Sequence, residues 1–387
     1  MHWARRLASW LSLVPLLSCL AGSFVGHAED KAKPLVIALE PLGLPKGFFT
    51  GGHPLTCLHV HTAGTRLFWL DSNHIFVAFT TNPPCTFRSG SDASRLRALV
   101  FDKTGAKIAS RDWPIEDNLT LFVGPNHSVV LWQGNRLRFL DDHLQIIESG
   151  ELDQKPRGLF VTPSRRTIPL LKADGRDFEF YSEGPLKLLS TIALDQSPEV
   201  NSVEVDNWTP GDERIAGKHC KDKSPFSCSK IIVLTPDANF IAPDGAPWSY
   251  EETEKPVALD PVGFLDATHL LISRQEKGFF HTPQVFIIRP GGSKTLLPTP
   301  GGIFSINRIA GVADGGSRFG LEYIAAGMCE DCISARRFVV DEIDSKKFLF
   351  DHYGTPYFSR FELAPDGKSV AVLDNGAVSI YPLPGHE

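Results

Sequence analysis

The segment FELAPDGKSVAVLDNGAVSIYPLPGHE (361–387) holds two alternating apolar runs, a Pro-Asp-Gly turn and an Asn-Gly turn, and then the chain stops. Alternation at period two marks half-buried strands, because successive strand side chains point to opposite faces. Pro-Asp-Gly and Asn-Gly supply the backbone angles that reverse a chain tightly. Whether this is a solitary hairpin or the last of a series decides the fold.

It is one of a series. RALVFDKTGAKIAS (97–110), LRFLDDHLQIIES (137–149), FEFYSEGPLKLLS (178–190), KIIVLTPDANFIA (230–242), QVFIIRPGGSKTLL (284–297) and RRFVVDEIDSKKFLF (336–350) each read as strand, polar turn, strand. Each is preceded by another apolar pair around a tight turn, beginning with RLFWLDSNHIFVAF (66–79). The unit is four strands repeating about every 40–55 residues, the period of a β-propeller blade. The closing segment is then three strands of a seventh blade. An unpaired strand edge invites association with other chains. The missing outer strand is therefore expected from PLVIALE (34–40), with TCLHVHT (56–62) as the alternative. The prediction is an all-β, seven-bladed propeller closed by an N-terminal strand, with residues near 34–40 antiparallel to residues near 377–381.

The last repeat resembles the PD40, or WD40-like, repeat of TolB-type propellers. Ala364, Pro365, Asp366, Gly367 and Lys368 match its turn, and Ile380 and Tyr381 match its third strand. The other repeats keep the strand order without the motif. The resemblance implies a propeller and transfers no activity, because one fold hosts many functions.

Bulk properties narrow the function classes. Of 387 residues, 42% are apolar and 22% charged, and the net charge of -6 speaks against an electrostatic nucleic-acid binder. The opening segment has Arg5 and Arg6, an apolar stretch, and Gly26-His27-Ala28 before Glu29 and Asp30. This reads as a signal peptide over 1–28, leaving a single propeller domain over 29–387 in the periplasm or outside the cell. Lipidation at Cys19 and a retained anchor are the alternatives, and either would bring the membrane in as a partner.

Besides Cys19 there are six cysteines, an even number that suits an exported, disulfide-bonded chain. Sequence proximity pairs Cys57 with Cys85, Cys220 with Cys228, and Cys329 with Cys332. Cys329-Glu-Asp-Cys332 could also be a redox dithiol or half a zinc site, but strands surround it rather than the helix that usually carries such a motif. His59 and His61 share a strand face with Cys57 and are candidate metal ligands. His74, His127 and His269 occupy equivalent positions in three repeats and read as turn residues. Asp206, Asp212 and Glu213 lack the spacing of a calcium loop. No nucleophile elbow, HExxH or P-loop occurs, and no catalytic residue or cofactor is expected.

Lettering the strands A to D from the axis outward, B–C and D–A links share one face, and A–B and C–D turns share the other. The long links at 81–95, 218–229 and 324–335 and five of the six cysteines lie on the first face. Loops over a rigid scaffold are where binding residues gather. The expected function is an exported module that binds a protein, peptide or glycan through this stapled loop face. The alternatives are a hydrolase, lyase or oxidoreductase with a site over the central channel, and a structural protein of envelope assembly.

Overall fold

The computed structural model describes residues 33–46, 48, 65–81, 95–114, 119–162, 165–182, 186–194, 208–220, 227–235, 248–253, 256–277, 282–302, 304–326, 333–343, 345, 347–355 and 359–385. Their strands form seven four-stranded antiparallel sheets, the blades of a propeller. The innermost A strands are Arg66–Trp69, Thr120–Val123, Gly158–Leu159, Trp208–Gly211, Val257–Phe264, Ser305–Val312 and Arg360–Leu363, for blades one to seven.

Ring closure follows the first of the two expected strands. Leu35–Ala38 pairs antiparallel with Ala377–Pro382, setting Leu35 against Ile380 and Ala38 against Ala377. Leu39 N–H then donates to Gly376 O at 2.9 Å, and Leu39, Leu44 and Phe48 bury their side chains beside the seam. Closure gives blade seven its outer strand and covers the edge of Ala377–Pro382. The preceding reversal uses Asn375 and Gly376, both at positive φ (48° and 81°), as an Asn-Gly hairpin turn requires.

Seven apolar clusters form among the described residues, one in each gap between neighbouring blades. Strand B of blade one, His74–Thr80, shows why. Ile75, Val77 and Phe79 pack toward blade seven, and Phe76 and Ala78 toward blade two. A strand buried on both faces is apolar throughout, so inner strands read as continuous runs. Strand D of the same blade, Lys107–Pro114, is largely solvated. Blades six and seven approach so closely that a Cβ on Gly311, at φ +95°, would sit 2.6 Å from Leu363 O.

Several turns use an aspartate that accepts backbone N–H groups from residues just ahead of it. Asp71 Oδ1 accepts from Asn73 and His74 N–H, at 2.6 and 2.8 Å, and Asp266 Oδ1 accepts from Thr268 and His269 N–H, at 2.6 and 2.9 Å. Asp102, Asp141, Asp174 and Asp366 do likewise in other turns. No helix among the described residues is long and apolar enough to cross a membrane.

Candidate functional site

Strand A is the inner edge of every blade, so one row of its carbonyls faces the channel without a strand partner. Arginines supply donors to this row. Arg308 of blade six donates from Nη2 to Phe361 O of blade seven at 2.8 Å. Arg360, which opens strand A of blade seven, reaches Thr65 O beside blade one at 3.4 Å and Ser359 O at 2.9 Å. Arg66, which opens strand A of blade one, donates to Leu121 O of blade two at 3.0 Å and to Thr65 O at 3.1 Å. Each guanidinium reaches the next blade round the ring. A strands start at the loop face, so Arg66 and Arg360 sit at that mouth.

Two carboxylates lie among them. Glu322, on strand B of blade six (Arg318–Ala326), is fully buried. Its Oε2 pairs with Arg308 Nε at 3.0 Å, and its Oε1 accepts from Asn307 at 3.0 Å and from Arg336. Burial alone would raise its pKa, but Arg308, Arg336 and Arg360 outweigh that and hold it below the usual carboxylate range. Glu362 bridges Arg308 Nη1 at 3.3 Å and Arg165 Nη2 at 2.9 Å. Burial pulls Arg308 down, but Glu322 and Glu362 more than restore its affinity for the proton.

Arg66 and Arg360 differ from Arg308. Burial and then the charge of Arg308 lower Arg66 below the ordinary arginine value. Burial, followed by the charge of Arg336, brings Arg360 down to about 9; Glu322 opposes the shift, and Arg308 and Arg66 add to it.

Arg165 enters from the opposite end, on the A–B turn of blade three, and also donates to Trp69 O. Beyond it, the turn-face mouth opens into a cavity of about 630 Å³ walled by A–B turns of blades three to seven. Arg166, Asp212, Arg214, Asp266 and Asp314 contribute to its rim. The charges there are mixed, and several are committed to turns, as Asp266 is. A smaller cavity of about 320 Å³ lies away from the axis between blades two and three, where Tyr181 and Glu179 already bond each other at 2.8 Å.

Among the residues singled out by sequence, Cys220 and Cys228 form a disulfide across the B–C link of blade four, on the loop face. Cys228 O accepts Leu259 N–H at 2.8 Å, tying that link to strand A of blade five. Cys57, Cys85, Cys329, Cys332, His59, His61 and Asp206 lie outside the described residues, as do most of the links at 81–95 and 324–335. The three repeated histidines are turn residues on the opposite face. His74 and His269 bond Asp71 and Asp266 at 2.8 and 2.7 Å, and His127 bonds Leu70 O at 2.9 Å. Asp212 accepts from the Thr167 hydroxyl at 3.3 Å. Asp141, Asp142 and His143 converge within 4.8 Å on an exposed turn, but Asp141 is already engaged by two backbone N–H groups. The arginine cluster was missed from sequence. Its trace was an arginine opening the inner strand in both RLFW (66–69) and RFEL (360–363).

No protein-family model matches the chain, and no curated protein matches it. Among solved structures it is similar to Hydrazine Synthase of Kuenenia stuttgartiensis, at 15% identity over 87% of this chain and 99% of that one, with a TM-score of 0.49. It is similar to the β-propeller domain of Cps50 (Swd1) of Myceliophteria thermophila, at 11% identity over 84% and 97%, with a TM-score of 0.46. It is also similar to Hsv2 of Kluyveromyces lactis, at 10% identity over 83% and 98%, with a TM-score of 0.43. None of the three reaches a TM-score of 0.5, so the fold rests on the seven sheets themselves and these likenesses carry no activity across.

Proposed function

We propose that this chain is an exported propeller that binds a protein, peptide or glycan over the loop-face mouth of its channel. The observation that carries this reading is the convergence of Arg66, Arg308 and Arg360, from three inner strands, at the end where the long links gather. The Cys220–Cys228 disulfide on that face and the signal-like opening segment support an oxidising compartment, periplasmic or extracellular. The PD40-like turn of the last repeat fits such a module. Peptide and glycan arrays probed with the exported chain test the reading. Substitutions in 81–95, 218–229 and 324–335 are expected to abolish binding with the melting temperature unchanged. Loss of binding from turn-face substitutions instead would contradict it. A channel enzyme is the second reading, favoured by the 630 Å³ cavity at the turn-face mouth. It predicts turnover that depends on Asp314 or Arg214 and is indifferent to the loop face.

A further inference from the structure

The smaller cavity, of about 320 Å³, is roofed by two links of the loop face. The link from blade two to blade three brings Asp153 and Gln154, and the B–C link of blade three brings Lys172 and Asp174. Below them the cavity runs along strand C of blade three, Asp177–Ser182, past Glu179 and Tyr181. Alternate residues of a strand share a face, so these two both point toward blade two. Tyr181 packs there on the cluster that holds Leu152 and Leu170, which give the cavity an apolar floor.

Its polar groups divide into engaged and open ones. Tyr181 donates to Glu179 Oε2 at 2.8 Å, and Lys172 Nζ stands 3.2 Å from Asp177 and 3.8 Å from Glu179. Burial, then the hydrogen bond to Glu179, raises the Tyr181 phenol above its ordinary value; Asp153 adds to the shift, so the phenol remains a donor. Asp174 gives Oδ1 to Arg176 N–H at 3.0 Å. Asp153 and Gln154 are exposed and make no hydrogen bond or ion pair among the described residues.

This set of groups selects among ligands. An anion would meet three carboxylates, and a cation would compete with Lys172, already paired in the wall. An apolar ligand would strand the carboxylates. A sugar hydroxyl both donates and accepts, so it serves the carboxylates, the Gln154 amide and the Lys172 ammonium together. The volume lies at the small end of the ligand-cavity range, which suits one sugar ring with its neighbours in solvent.

We propose that this slot between blades two and three binds one sugar ring of a glycan, with Asp153, Gln154 and Asp174 hydrogen-bonding its hydroxyls and Leu152 and Tyr181 carrying its C–H face. The assignment rests on the loop-face reading above and names its ligand class.

Glycan and peptide arrays probed with the purified chain test it, followed by calorimetric titration of the glycan bound best into the wild type, Asp153→Ala and Gln154→Ala. Both side chains are unbonded, so the melting temperature is expected to stay unchanged in each variant. Affinity for the glycan is expected to fall at least tenfold in each. No glycan bound, or a glycan bound equally by all three proteins, would overturn the proposal. A basic peptide bound instead, and lost in the same two variants, would assign the slot to a cationic side chain and overturn it too. A ligand lost on substitution in 218–229 but not at Asp153 or Gln154 would overturn the slot and leave the loop-face reading standing. Glycan binding weakened at Asp153 yet untouched by substitutions in 218–229 would support the slot and contradict the part of that reading that rests on the stapled links.

Discussion

Arg165 and Glu362, 197 residues apart in the chain, meet across the channel with Nη2 2.9 Å from Oε1. Arg165 comes from a turn of blade three and Glu362 from the inner strand of blade seven, so the pair spans the ring. It also divides the channel, with the mixed-charge cavity on one side and the arginine mouth on the other.

Breaking one partner of a buried pair strands the other, typically at about 3–5 kcal/mol. Glu362→Gln is therefore expected to lower the unfolding free energy by about 3 kcal/mol, read by urea denaturation. Adding Arg165→Met should cost less than the sum of the separate losses. Additive losses would show that the two side chains are not coupled.

The closing strand makes a second test. Ile37 is buried in the seam cluster with Trp69, Leu373 and Val378. Ile37→Ala is expected to cost about 2–4 kcal/mol, as core truncations do. Deleting residues 34–38 should expose the edge of Ala377–Pro382 and cause concentration-dependent association, visible by light scattering. A monomeric deletion variant with unchanged stability would refute closure by this strand.

Asp341 gives stability a pH dependence. It lies on strand C of blade six with no exposed surface; Oδ1 accepts Glu342 N–H at 2.8 Å, and Oδ2 has no hydrogen-bond partner among the described residues. Burial pushes its carboxyl up to about 7. The native state thus keeps a proton that the unfolded chain releases near pH 4, and the unfolded state binds fewer protons between the two values. Stability from this group is greatest below pH 4 and declines as pH rises to about 7, by roughly 4 kcal/mol at one pKa unit per 1.4 kcal/mol. Asp341→Asn should flatten that slope in urea titrations across the range. A slope unaltered by the substitution would show that Asp341 is ionised in the fold.

The Cys220–Cys228 disulfide closes a short loop, with a sequence separation of 8. Chain entropy for a loop of this size corresponds to about 2–3 kcal/mol. Replacing both cysteines with serine should lower the melting temperature accordingly and loosen the link that Cys228 O anchors to Leu259. An unchanged melting temperature would place the disulfide's role outside stability.

Blade count and closure were legible because they depend on local signals. Pro-Asp-Gly and Asn-Gly mark reversals, apolar runs mark strands, and a blade lacking its fourth strand points to a spare strand elsewhere. The turn role of His74 and His269 was legible for the same reason, since their aspartate partners lie three residues away. The channel was not legible. Arg66 bonds a carbonyl 55 residues away, Arg165 one 96 away, and Arg360 one 295 away. Such neighbours are set by the curvature of the closed ring, not by sequence spacing. Asp341 was missed differently. Val-Val-Asp-Glu (339–342) reads as a strand running out into a polar turn, yet the blade buries its third residue.

The loop-face reading is tested most directly by peptide and glycan arrays probed with the purified chain and with variants substituted in 218–229. Binding lost in those variants at an unchanged melting temperature is the predicted result. Binding that survives them, or that is lost instead on substitution of Arg214 or Asp314 at the turn face, would contradict it.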